Sequence, residues 1–323
     1  MSRSIFIAGA SGMVGRALVQ HVLEQKPEIS VRAGCFNQDN AFGSHPKLEI
    51  APGDLRRMEC CRQLCKGCDT GIFAAASTGG AAQAASEPWR QVNDNLIMNA
   101  QLLEACFHEK VKRVVMIGSA TTYQDFEGKI REDELDFSQN PAASYFGVGW
   151  VMRSLEKLAE FWHRTGKMEI ILIRAANIYG PYAKFNPQNS NFIPALVRKS
   201  VEKLNPFEVW GSPDVTRDVI FSEDFAEAIV KLLECEQVKF DVFNVGSGAA
   251  VTVDEVVKAC LKHSGHQPSK VEYRSDKPVT VKNRILDCSK IKNITGWTTR
   301  HSLDDGIRKT VEWWQENQKK WTR

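Results

Sequence analysis

The chain has 323 residues, 43% of them hydrophobic, with 22 Gly and 12 Pro, a balance that suits one large or two coupled globular domains and excludes collagen-like, mucin-like and disordered classes. Charges nearly cancel, 42 Lys+Arg against 39 Asp+Glu, and no basic run stands out, so neither nucleic acid nor an anionic membrane is an expected partner. The apolar stretches are strand-sized, and Met-Ser-Arg-Ser leads straight into Ile5 and a Gly-rich turn, which points to a cytoplasmic protein with a small-molecule partner.

In chain order, apolar runs at 5–8, 29–33, 71–76, 111–117 and 170–173 predict short buried strands. Helix-length amphipathic stretches at 13–25, 55–65, 88–108 and 145–165 alternate with them. That alternation predicts an α/β fold, a Rossmann-type doubly wound parallel sheet. Past Arg174 the pattern breaks into Pro- and Asn-rich loops with helices near 194–202, 224–234, 253–263 and 303–318. A dinucleotide domain over 1–175, with a return near 218–246, and a smaller α/β C-terminal substrate domain over 176–323 are expected. Four of the nine cysteines crowd into Cys60, Cys61, Cys65 and Cys68, but no His or second Cys pair lies at ligand spacing, so small thiols packed under a sheet are expected and no metal.

Directly after the first strand comes Gly9-Ala10-Ser11-Gly12-Met13-Val14-Gly15, opening a helix. Glycines at this spacing permit a tight turn, close backbone approach to a pyrophosphate and tight helix packing, with the helix N-terminus facing the anion. A dinucleotide cofactor is expected. An NAD-preferring site usually has a carboxylate at the end of the second strand. The stretch Val31-Arg32-Ala33-Gly34-Cys35-Phe36-Asn37 has none, and Arg32 as a 2′-phosphate partner favours NADP over NAD. Asp54 and Leu55, after the next turn, are placed for the adenine amino group.

With the Gly loop, Gly53-Asp54-Leu55, Ala74-Ala75-Ala76-Ser77, Asn95, Ser119-Ala-Thr-Thr-Tyr123 and Tyr145 in order, the chain resembles the extended short-chain dehydrogenase/reductases that act on nucleotide sugars, the NAD-dependent epimerase/dehydratase family. Arg174-x2-Asn177-x-Tyr179-Gly180-Pro181, Trp210, Arg217-Asp218, Phe243-Asn-Val-Gly246 and Asp287-x-Ser-Lys290 extend the resemblance over nearly the whole length. Within the family the likeness is greatest to the GDP-L-fucose synthases, through residues 186–196 and Trp210 seven residues before Arg217. The resemblance implies a homodimer, a GDP-sugar as favoured substrate, and cofactor contacts from Gly9, Ser11, Gly12, Met13, Val14, Gly15, Asp54, Leu55, Ala74, Ala75, Ala76, Asn95 and Tyr145. It implies substrate contacts from Ser119, Thr121, Asn177, Asn191, Lys199, Trp210, Arg217 and Arg284. Among these, Arg217 would neutralise the diphosphate and Trp210 would stack on the base.

Ser119 and Tyr145 are the implied catalytic groups, but the family motif is Tyr-x-x-x-Lys and Tyr145-Phe146-Gly147-Val148-Gly149 puts glycine in the lysine position. That lysine, one turn on and on the same face, lowers the phenol pKa and holds the nicotinamide ribose. The next cations along the helix are Arg153 and Lys157. Thr121 and Asn191 stand where the synthases carry the Cys and His of a double epimerisation, and Ala120-Thr121 where dehydratases carry Asp-Glu. What survives is simple redox at one carbon, expected at C4, by a ketoreductase or dehydrogenase. A 4-epimerase is the alternative, and a protein that binds nucleotide sugar and dinucleotide with impaired catalysis is the alternative of another class.

Overall fold

In a computed structural model of the chain, which describes residues 4–36, 42–79, 87–274 and 283–321, fifteen strands and nine α-helices are placed. The main sheet is built from β1 (Ser4–Ala8), β2 (Ser30–Cys35), β3 (Leu48–Pro52), β4 (Thr70–Phe73) and β5 (Arg113–Ser119). After β6 (Gly128–Ile130), in a smaller sheet, it adds β7 (Glu169–Ala175). Then come β8 (Asn177–Tyr179), β9 (Phe207–Trp210), β10 (Thr216–Arg217) and β11 (Val219–Phe221). The chain returns to the main sheet as β12 (Phe240–Val245) and ends with β13 (Val251–Thr252), β14 (Val271–Arg274) and β15 (Arg284–Leu286). The seven-stranded order is β12-β7-β5-β4-β1-β2-β3, and every pairing in it is parallel.

Both faces of that sheet are covered, which is why its central strands read as unbroken apolar runs. Helices α1 (Met13–Gln25) and, later, α6 (Ser222–Glu234) pack together on one face, over Ile5, Ile7, Val115 and Ile171. On the other face α2 (Met58–Cys65), α3 (Pro88–His108) and α4 (Phe146–Arg164) cover Phe6, Val114 and Leu172. Fully buried Leu102 and Leu103 of α3 and Leu155 of α4 belong to that layer. A third cluster joins α5 (Phe192–Val201), α7 (Val253–Ser264) and α9 (Leu303–Asn317), while α8 (Ser289–Thr295) lies against β12. The crowded cysteines sit under the sheet as small apolar groups: Cys65 Sγ lies 3.7 Å from Cys106 Sγ, and burial pushes the Cys61 thiol up to about 12. Among the described residues no group of three metal-ligating side chains converges, and no helix is long and apolar enough to cross a membrane.

Strand order reverses between β1 and β4, and in an open parallel sheet that is where the crevice for a ligand opens, beyond the carboxyl ends of the strands. Beside β12 a four-stranded sheet, β13-β10-β15-β6, is locked in place by one buried carboxylate. Asp218, 2% exposed, accepts from Ser247 N and Oγ (both 2.8 Å), Gly248 N (3.3 Å) and Leu286 N (3.1 Å). Burial raises its pKa, and those four donors oppose the rise. Asp218→Ala should remove about 3 kcal/mol of stability, because a buried backbone donor is left without a partner; urea unfolding measures this, and a loss under about 1 kcal/mol would contradict the assignment.

Candidate functional site

The dinucleotide crevice begins with the turn between β1 and α1. Gly9 adopts φ +77°, and a Cβ there would stand 2.5 Å from Ala75 Cα. At Gly15 a Cβ would stand 2.2 Å from Gly9 O, so both residues are glycine because backbone meets backbone. Gly12 differs: its nearest neighbour would be Gly9 O at 3.4 Å, an ordinary contact, so the chain's own packing does not require glycine there. Space is left open at the N-terminus of α1, where the cap residue is Gly12 and offers the first turn no side-chain hydrogen bond. Those are the features a pyrophosphate needs, and the residues fit a dinucleotide.

The remaining cofactor candidates divide by position. Ala74 and Ala75 follow β4 and flank the Gly9 turn, Ala74 N donating to Ala8 O at 3.0 Å. Asn95 is 3% exposed and works one step back: its amide accepts from Ser77 N (2.7 Å) and donates to Ser77 O (3.0 Å), holding the segment that continues past Ala76. Lys184, from the loop after β8, crosses to the same segment and donates to Thr78 Oγ1 at 3.1 Å, a contact the sequence reading missed. Asp54 is held below the ordinary carboxylate range by the Arg56 guanidinium, which also bridges to Asp94 and lies 5.9 Å from the ring of Phe36 at the end of β2. Arg32 does not stand with these groups. It pairs with Phe6 in mid-strand, faces α2, bonds Glu49 at 2.8 Å and Leu64 O at 3.2 Å, and so reaches the C-terminal end of α2 instead of the carboxyl edge of the sheet.

The second group of residues gathers around the 119–124 turn at the end of β5. Ser119 Oγ accepts from Thr121 N at 3.2 Å, which leaves its proton free to donate. Thr121 Oγ1 is buried without a hydrogen-bond partner among the described residues. Two arginines grip the turn: Arg153 Nε donates to Thr122 O at 2.8 Å, and Arg284 donates to Ala120 O (3.3 Å) and Gln124 O (2.8 Å). Arg153 is 1% exposed, lies against the Trp150 ring and also donates to Gln139 O. Arg284 reaches Tyr145, its Cζ 5.8 Å from the ring centroid. Arg217 is the register partner of Arg284 across β10 and β15. Burial lowers the pKa of both guanidinium groups, and proximity to Tyr145 opposes that in each. Arg217 donates to Thr216 O at 2.8 Å, and among the described residues no carboxylate pairs with it.

Farther out, Asn177 Nδ2 donates to Asp218 O at 3.0 Å, and Asn191 is an exposed residue at the start of α5. Lys199 donates to Glu208 O at 2.8 Å, with its pKa lowered by burial. Trp210, at the end of β9, is 46% exposed, with its Nε1 donating to Glu208 Oε1 at 2.8 Å.

Gly149 explains itself by contact. A Cβ there would stand 2.4 Å from Pro141 Cβ and 2.6 Å from Thr121 O, so α4 has closed on the turn and no side chain fits. Gly149→Ala should therefore destabilise the protein by about 1–3 kcal/mol, against the helix propensity that favours alanine, and Gly149→Lys by at least as much; thermal unfolding decides, and a stabilised alanine variant would contradict the packing. Gly12→Val should keep the parent melting temperature yet abolish binding of NAD and NADP in calorimetry, since only the ligand's space is filled.

The model of the NAD dependent epimerase/dehydratase family matches residues 5–246. The chain is similar to a GDP-L-fucose synthase of Sinorhizobium fredii, 26% identical over 317 residues and covering 96% of this chain and 95% of that protein. It is similar to the GDP-L-fucose synthase of Escherichia coli, 26% identical over 332 residues and 97% of both chains. In fold it resembles UDP-glucose 4-epimerase of Thermotoga maritima, with TM-score 0.84 over 98% of this chain and 99% of that one at 21% identity. With the family's model matched over more than half of the sequence and its Gly-rich crevice in place, the chain belongs to the NAD dependent epimerase/dehydratase family.

Proposed function

We propose that the protein is an NAD(P)-dependent oxidoreductase acting on a nucleotide-activated sugar, with a GDP-sugar favoured, by simple redox at one carbon, C4. The observation that carries this reading is the Arg217–Arg284 pair: two largely buried guanidinium groups side by side, the first without a carboxylate, opposite Tyr145 and the turn that bears Ser119. A buried cation without an acidic partner is costly, and a diphosphate supplies two charges with oxygens for bidentate contact. Trp210 offers a face for the base, and Lys199 a further cation on the same side of the molecule. The names of the two synthases, both acting on GDP-sugars, favour guanine over other bases.

A nicotinamide bound in the crevice supplies the hydride acceptor or donor. The chain's own part is acid–base and positional. Ser119 Oγ–H donates to the sugar oxygen while accepting from Thr121 N, which fixes its direction. Tyr145 receives the hydroxyl proton in oxidation and returns it in reduction. Thr121, a buried hydroxyl, and Asn191, an amide at the start of α5, do not exchange protons near neutral pH, which argues against the double epimerisation of the synthases. The occupied space at Gly149 is the one observation that favours a binding protein with impaired turnover.

A homodimer is part of this reading. Leu102 and Leu103 cover the sheet and cannot form an interface, but Trp89 (56% exposed), Leu96 and Ile97 on α3 and Phe146 and Phe161 (58% exposed) on α4 form outward apolar stripes on two helices that pack together. Such a surface suits a second copy of the same pair.

Screening GDP-, UDP-, dTDP- and CDP-sugars for change in the reduced-nicotinamide absorbance tests the function, and turnover with a GDP-sugar is expected; binding of sugar and cofactor without turnover would instead support the binding protein. Arg217→Ala should weaken nucleotide-sugar binding by about 2 kcal/mol and leave cofactor affinity unchanged. Equal loss for both ligands would mean a folding effect. Light scattering at micromolar concentration should give the mass of a dimer.

A further inference from the structure

A proton-carrying tyrosine in this family is served by a lysine one turn along its own helix, and here that route is closed. The contacts at Gly149 are with backbone and a proline ring, so no longer residue there could carry a charge past them to Tyr145. Any cation beside the phenol must come from another element. Arg153 turns away, into Thr122 O and Gln139 O and against the Trp150 ring. Lys157 pairs with Glu160 at 3.0 Å on the outside of α4. Lys184 is taken up by Thr78.

We propose that Arg284, reaching over from the small sheet, is the positioning cation of Tyr145, in place of the lysine that helix α4 lacks. This rests on the reading of Tyr145 as the proton carrier. Four observations support it. The guanidinium carbon stands 5.8 Å from the Tyr145 ring centroid. Two of its donors are anchored on Ala120 O and Gln124 O, the carbonyls of the Ser119 turn, so its place relative to Ser119 and Tyr145 is fixed by the backbone. Its Nε is buried without a partner among the described residues. The charged groups that accompany it are Arg217, its register neighbour, and Asp125, 4.0 Å away and 77% exposed, a weak and solvated counter-charge. A guanidinium is always charged and tolerates desolvation better than an ammonium, which suits a largely buried place beside the ring of a phenol that becomes anionic. Arg217, held only by its neighbouring carbonyl, also lies near Tyr145, whereas Arg284 is anchored on two carbonyls of the turn. In oxidation the Tyr145 phenolate would take the sugar hydroxyl proton and become the phenol, while the hydrogen on the same carbon would leave as hydride for the oxidised nicotinamide; reduction reverses both transfers.

The test uses the full chain without substrate. Alkaline titration of the ultraviolet tyrosinate band is followed in the parent, and the step lost in Tyr145→Phe is assigned to Tyr145. In Arg284→Gln that step should move to higher pH by about one unit or more, the usual effect of removing an opposite charge at this distance, and Arg284→Lys should recover at least half of the movement. Arg284→Met, which replaces the guanidinium over the Phe126 ring with an uncharged group of similar reach, carries the same expectation should the glutamine variant fail to fold. A Tyr145 step at the same pH in the parent and a folded, uncharged variant overturns the proposal. Since no sugar nucleotide is present, that result would leave the substrate reading standing, and a failed sugar screen would leave a shifted tyrosinate step standing.

Discussion

Helix α4 lies so close to the turn after β5 that a single methyl group at residue 149 would meet Thr121 O at 2.6 Å. Much of the site's arrangement follows from that approach. It leaves no room for a side chain one turn after Tyr145, which caps the start of the helix. It also brings Arg153 under the turn, where a fully buried guanidinium takes Thr122 O and fixes the strand end from below, while Arg284 takes Ala120 O and Gln124 O from the other side. A turn clamped by two arginines is rigid in a way that a hydrogen-bonded loop alone is not, and a rigid turn is what a hydroxyl aimed at a reacting oxygen requires.

The second constraint is the backbone contact of Gly9 with Ala75, at the point where strand order reverses. Because Gly15 meets Gly9 and Ala10 equally closely, α1 is drawn down onto β1, and its N-terminus points into the crevice between β1 and β4. The Gly-rich turn, the segment after β4 and the Ser119 turn therefore follow one line of strand ends, β1, β4 and β5. The polar network behind that line is buried and complete: Arg174 pairs with Glu156 at 2.9 Å and bonds the Tyr123 hydroxyl, which in turn donates to Asn244. It ties α4, β7 and β12 together beneath the turn.

Much of this was legible in the sequence. The helices Met13–Gln25 and Pro88–His108 match the periodic stretches residue for residue, since long amphipathic segments with clear boundaries leave little choice. β3 escaped because an edge strand ending in Pro52 and half open to solvent has no apolar run, and β12 because Asp241 and Asn244 interrupt it, the latter a buried polar residue satisfied only by tertiary partners. The glycine loop was read from spacing, but spacing alone could not say which glycine the packing leaves open. Arg32 shows the limit of strand-end reasoning: one residue of alternation decides whether a side chain faces a cofactor or the helix behind it, and Arg32 alternates toward α2.

Least legible was the meeting of Arg284 with Tyr145, which depends on a parallel register between β10 and β15 that no local pattern encodes. That register has an electrostatic consequence for the order of events at the site. Two adjacent guanidinium groups repel, and burial strengthens the repulsion, so without ligand the pair is balanced only by carbonyl dipoles, the Tyr145 oxygen and the distant Asp125. A diphosphate beside Arg217 would relieve the repulsion and at the same time draw part of the positive potential away from the phenol. On the proposed reading, phosphates and phenol would thus draw on one pair of side chains, with opposite demands on it. On that reading a lysine on the tyrosine's own helix would separate those demands, and the closing of α4 onto the turn at Gly149 joins them.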